Sequence, residues 1–187
     1  MLKPLLLPLI LTLSSPAISS EADKLADEAR GMAKQFGGQL KQHLQQGMKE
    51  GGPLLAMDVC NVQAPAIATA VGDTAGWKVG RTSLKARRVE NRPDRWELMA
   101  LLEFEKQKEA GQDFVSMESY AVVENAEGRV FRYMKAIPTG GVCLSCHGDN
   151  VQGEVLSKIE KLYPDDQALG FKAGDLRGAF TLSKKLD

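Results

Sequence analysis

The stretch "TGGVCLSCHGDN", residues 139–150, constrains this chain more than any other. Cys143 and Cys146 stand three apart, and His147 follows the second directly. Two thiols at this spacing can each add to one of the two vinyl groups on a haem edge, and the next residue then sets its imidazole under the iron. Gly148 lets the chain leave that crowded face, and Gly140 and Gly141 let backbone come close to it. The motif would tie a large flat group to the fold, so the remaining elements must be arranged around it.

Two other chemistries can use the same cysteines. A C-x-x-C redox pair is one, but it usually opens a helix after a strand in a βαβ setting, and the histidine would be incidental. A Cys3His zinc site recruiting Cys60 is the other, though structural zinc is rarer in exported proteins, where thiols oxidise. One covalent haem c is the preferred reading of the three.

The N-terminus supports export. Residues 1–20, "MLKPLLLPLILTLSSPAISS", carry Lys3, an apolar run from Leu5 to Leu13, and small residues at Ala17 and Ser19 placed as before a signal-peptidase cut. This reads as a secretory signal peptide. The run is shorter than the ~20 residues that span a bilayer, and no later segment is expected to span one. The chain is therefore expected to be soluble, in an oxidising compartment such as a bacterial periplasm. Without residues 1–20 the charge is 23 basic against 24 acidic residues, since only Lys3 is lost. That balance argues against nucleic-acid binding. Residues 21–187 are of a length for a single domain.

If His147 is the proximal ligand, the opposite face of the iron needs an account. Cys60 is the odd cysteine of three. An uncommitted thiol is a liability in an oxidising compartment, and binding to ferric iron removes it, so Cys60 is the favoured second axial ligand. A plain buried cysteine is the alternative. His43, Met48, Met57, Met99, Met117 and Met134 are the other candidates. His43 fits a helix flank better than an iron, and most of the methionines fit core stripes.

The pattern along the chain predicts helix, helix, strand, helix, hairpin, loop, helix, strand. The first helix runs over 21–50, with a stripe of Leu25, Met32, Phe36, Leu40, Leu44 and Met48, a bend at Gly37-Gly38, and a stop at Gly51-Gly52-Pro53. A shorter helical region covers 54–71, interrupted by Pro65. Residues 77–90 read as extended. Asp94 and Glu97 have capping-box spacing and start a helix with Trp96, Met99, Leu102 and Glu103 on one face, ended by Gly111. A hairpin follows over 114–137, turning at "ENAEG". After the cysteine motif come a helix at 153–163 and a last strand in "GDLRGAFTLSKKL". Strands paired mainly as hairpins imply an α+β domain with an antiparallel sheet.

Four stretches carry a resemblance to a known family: "VCNVQAPAIA" (59–68), "GRTSLKARRVENRPDRWE" (80–97), "YMKAIPTGGVCLSCHG" (133–148) and "LGFKAGDLRGAFTLSK" (169–184). Together they resemble exported c-type haem domains with a PAS-like fold, which occur alone or joined to bacterial signalling modules. The resemblance implies a central antiparallel sheet with an N-terminal helix and flanking helices, haem on one side, and Cys60 facing the iron opposite His147. Where the family usually reads x-Arg-Asn-Pro after "SLK", this chain has Ala86-Arg87-Arg88-Val89. No output module follows, so signalling would need a separate partner.

Arg81, Lys85 and Arg87 are candidate contacts for haem propionates. For each one singly, a solvated basic strand edge is the competing reading. Trp77 and Trp96 fit the core. Two functions remain: a redox or small-ligand sensor, with CO or NO displacing the thiolate, or a soluble electron-transfer cytochrome. The near-neutral charge offers no steering patch for a redox partner. No distal His-Arg pair near Cys60 supports a peroxidase, so no enzymatic activity is expected.

Overall fold

The computed structural model describes residues 16–186 except 74, 127 and 152, with side chains from Glu21 onward, Asn125 excepted. Of the expected leader, residues 1–15 lie outside the described residues, and 16–20 are described only as helical backbone.

Helix α1 (Pro16–Asp58) buries Leu25, Ala26, Ala29, Ala33, Phe36 and Leu40, a stripe at helical spacing whose small members let the helix lie close to the sheet. Gly37 does not bend it. A Cβ at Gly37 would stand 2.8 Å from the Phe180 ring, so glycine is needed there for close approach. The expected stop at Gly51-Gly52-Pro53 is instead a kink: Gly52 has φ 63°, which a side chain would strain, and the helix resumes at Pro53.

Past Asp58 the helix widens into a π turn, Val59–Gln63, before α2 (Ala64–Asp73). The Ala64 amide reaches back to the Val59 carbonyl. Pro65 has no N–H for the Asn61 carbonyl four residues earlier, so a regular ladder cannot pass this point. One 18-residue window of the run Glu21–Asp73 is apolar enough to cross a membrane by length and composition, which the sequence reading had not anticipated. The run is kinked within that length. Its buried members Val59, Ala64, Ala68 and Val71 join Phe36 and Leu40 in one core cluster.

The sheet has the order β1-β4-β3-β2, all antiparallel, from β1 (Lys78–Thr82), β2 (Glu118–Asn125), β3 (Gly128–Pro138) and β4 (Leu176–Lys185). The extended segment expected over 77–90 shrinks to β1, because the chain turns away at Ser83 and makes a short 3-10 turn at Val89–Asn91. Likewise the first hairpin strand begins at Glu118 rather than 114, since Asp113–Met117 folds into turns.

One face of the sheet carries α1, whose Leu25, Ala26, Ala29 and Ala33 meet Trp77, Phe131, Tyr133 and Leu182. The other carries α3 (Arg95–Glu109), whose Ala100, Leu101 and Phe104 meet Met117, Met134, Ala136 and Ala179. Burying a side chain such as Leu101 or Phe104 contributes roughly 1.5–3 kcal/mol. The Asp94–Glu97 capping box forms as expected. The expected stripe does not: Met99 and Leu102 face solvent, and Glu97 is turned inward to Arg132 and Thr181.

Candidate cofactor site

The motif follows β3 directly. Gly140 and Gly141 lead into a 3-10 turn, and α4 (Leu144–His147) is a single turn that Gly148 ends. A Cβ at Gly148 would lie 2.6 Å from the Leu144 carbonyl oxygen, so only glycine fits. Helix α5 (Gly153–Leu162) then packs Ile159 against Met57 and Tyr163.

A cavity of about 570 Å³ opens on the α1 face of the sheet. Cys143, Cys146 and His147 line it from one side and Cys60 lines it from the π turn. Of the other axial candidates, Met48 and Met57 also line it. His43 is exposed on α1, Met99 is exposed on α3, and Met117 and Met134 are core residues beneath α3. Another groove, of about 620 Å³, lies beyond Phe180 and Pro138, but none of the three cysteines lines it.

His147 is held in a defined tautomer. Its Nδ1 donates to the Ala168 carbonyl at 2.8 Å, and a carbonyl can only accept, so the lone pair is on Nε2. Burial, reinforced by Arg177 and Arg87, holds the imidazole pKa well below its ordinary value, so the ring is neutral. Arg87 clamps this corner. It pairs with Asp166 at 3.1 Å and donates to the Cys146 and Ala168 carbonyls at 2.7 and 3.3 Å, binding the motif to the segment that orients His147. Arg87 is thus occupied by Asp166 rather than left for an anion in the cavity.

Burial also pushes the Cys146 thiol pKa up. A reactive C-x-x-C pair needs a lowered one, and its helix would be longer than the single turn of α4. Among the described residues, no three or more His, Cys, Asp or Glu side chains converge as a metal cluster, so the Cys3His arrangement is not formed.

Lys41, Arg81, Arg87, Arg88 and Arg177 line the cavity, and among the described residues no Asp or Glu does. Arg81 lies close enough to Cys60 to interact with it electrostatically, and its guanidinium sits 5.9 Å over the Phe36 ring. Arg177 donates to the Ser83 hydroxyl at 3.2 Å and stands 3.5 Å from His147 Nε2. Burial, then Arg81 and Arg87, pull the Arg177 pKa down to about 10. Arg81 and Arg177 are partly buried and have no carboxylate partner among the described residues, which is costly, so the cavity is built for a partly anionic occupant. Lys85 does not line it: its ammonium turns to the Leu169 carbonyl and lies 4.6 Å over the Phe171 ring.

Sequence reasoning missed Arg177 and Arg88. Arg177 is the one charge inside the apolar run "LRGAF", a break in pattern that could have marked it. Arg88 was passed over within "KARRVE", where nothing local separates one arginine from its neighbours.

These features define the class: an α+β domain with a basic, cysteine-lined cavity on one face of an antiparallel sheet. The chain belongs to the Tll0287-like family, whose profile matches residues 15–184. A search of curated proteins returns no match. The crystal structure of the cyanobacterial haem protein Tll0287 is similar over 93% of this chain and 98% of its own, with a TM-score of 0.64 and 20% identity, which shows a shared fold.

Proposed function

We propose that this chain is an exported, periplasmic protein with a PAS-like fold that carries one haem c, tethered by Cys143 and Cys146, with His147 and Cys60 as axial ligands. We further read it as a redox or small-ligand sensor rather than an enzyme, with a separate redox or signalling protein as partner, CO or NO as exchangeable ligands, and no nucleic-acid or membrane-spanning role. One observation carries the reading. Two thiols and an imidazole lone pair line the same cavity as a third thiol and two guanidiniums, Arg81 and Arg177, that have no carboxylate partner among the described residues. Family membership, and a relative described as a haem protein, point the same way.

The residues present fit the group. Apolar walls from Leu40, Leu44, Ile137 and Phe180 suit its ring, Cys143 and Cys146 its vinyl groups, and Arg81 and Arg177 its propionates. When bound, haem supplies an iron that changes oxidation state and can exchange a ligand. The protein keeps His147 neutral and oriented through the Ala168 carbonyl. Cys60 sits on a π turn, an irregular segment of the kind found at functional sites, while His147 is fixed by the tether and the Arg87 clamp. That asymmetry favours a sensor whose Cys60 side can change while the His147 side stays.

The optical spectrum of purified protein, with and without dithionite, is the test, followed by acid-acetone extraction. Haem that stays with the chain is expected; a colourless protein, or haem fully extracted, overturns the reading. Rapid CO binding to the reduced protein supports the sensor, and a couple that stays six-coordinate and refuses CO supports the electron carrier.

A further inference from the structure

Helix α3 has two apolar faces, and the sheet covers only one. Ala100, Leu101 and Phe104 are buried, whereas Leu98, Met99 and Leu102 are 39%, 62% and 49% exposed. Three large apolar side chains on adjacent turns of one helix face form a patch of the kind that marks an interaction surface. The charges around it say what fits. Arg95, Met99 and Glu103 lie on one i±4 ridge, with Arg95 four residues before Met99 and Glu103 four after. Arg95 is exposed with no ion-pair partner among the described residues, and the one charged partner of Glu103 there is Lys106 at a loose 3.9 Å, beside a long 3.4 Å hydrogen bond from Gln107.

We infer that the outer face of α3 is a homodimer interface, in which the α3 helices of two copies pack antiparallel across a two-fold axis near Met99. That arrangement sets Arg95 of each copy against Glu103 of the other, twice over, with Leu98, Met99 and Leu102 between. A parallel pairing would set Arg95 against Arg95 and Glu103 against Glu103, so the charge pattern selects the antiparallel form. A single helix face is a small contact, which makes the dimer weak and concentration-dependent. The cavity lies on the opposite face of the sheet, so this contact leaves both cavities open, and it does not depend on what fills them.

Sedimentation velocity on the full chain, over a concentration series reaching high micromolar, tests it. A monomer–dimer equilibrium is expected. Arg95→Glu and Glu103→Arg each weaken it roughly tenfold, and the double swap restores it. Met99→Glu places two carboxylates at the axis and abolishes it. Circular dichroism melts confirm that these exposed substitutions leave the fold intact. A monomer at every concentration overturns the inference, as does a dimer indifferent to Met99→Glu, or charge swaps that fail to rescue each other; the last two outcomes would assign the patch to a different partner.

Discussion

Arg88 donates through Nη1 to the main-chain carbonyl of Asn61 at 2.9 Å, and Pro65 is why that carbonyl is there to accept. In a regular helix the amide of residue 65 would take it. Proline has no amide hydrogen, the helix widens, and an arginine from the loop after β1 fills the vacancy. Arg88→Ala is expected to cost about 1 kcal/mol, because water can reach part of the freed carbonyl. Urea denaturation measures that loss, and a change in the ferric electron paramagnetic resonance spectrum would report Cys60 moving with the turn. Pro65→Ala restores an amide and is expected to return the π turn to α-helix, rotating Cys60 away from the cavity. Slower labelling of Cys60 by a maleimide in the haem-free chain carrying alanine at positions 143 and 146 would register it.

Arg177 should have opposite effects in two states. Without an anion in the cavity it is a partly buried cation near Arg81 and Arg87, so Arg177→Leu is expected to leave the haem-free chain equally stable or more stable by about 1 kcal/mol. In the haem-bearing protein the same substitution should lower the melting temperature. Melts of both forms decide it; a loss of equal size in each would show a packing role alone.

The proposed tether and the proposed second ligand can be tested separately. Either Cys143→Ala or Cys146→Ala should leave one covalent bond, and the double variant should release haem into acid-acetone. Cys60→Ala should keep haem attached but change the ferric g-values, and unchanged g-values would remove Cys60 from the iron.

Acid should unlock α1 from the sheet. Glu118 accepts from Arg30 at 2.7 to 3.0 Å and from the buried Tyr133 hydroxyl at 2.9 Å. The hydrogen bonds from Arg30 lead in holding its carboxyl below the ordinary 4.5; burial opposes them, and the Tyr133 hydroxyl adds to the lowering. A carboxyl with a lowered folded-state pKa stabilises the protein above its unfolded value, and the contribution fades as pH falls through the folded one. Melting temperature should therefore drop below a pH of about 4.5, and Glu118→Gln should flatten that drop while lowering stability at neutral pH. A variant with an acid profile identical to the parent's would remove Glu118 from the account.

Local patterns in the sequence translated well into structure. "CLSCH" lines a cavity, Asp94 and Glu97 form their box, and the β2–β3 hairpin closes near its expected turn. What the sequence hid depends on distant partners. On α3 the polar Glu97 is drawn inside by Arg132 and Thr181, which turns the apolar Met99 and Leu102 outward. Lys85 leaves the cavity for a carbonyl 84 residues away. Arg177 reaches the site because β4 pairs between β1 and β3, a placement no local period encodes.

That placement also sets an order of assembly. β4, an inner strand of the sheet, comes after the other three strands in the chain, and it brings Arg177, Gly178 and Phe180, three walls of the cavity. Until it inserts, β1 has no neighbour, the hairpin is an unsupported pair, and the stretch from Cys143 to His147 faces an unfinished, open basin. Such distant pairing is slow to form. The topology thus gives an interval in which Cys143, Cys146 and His147 are in place but the chamber around them has not closed, when a bulky guest can enter before the door is hung.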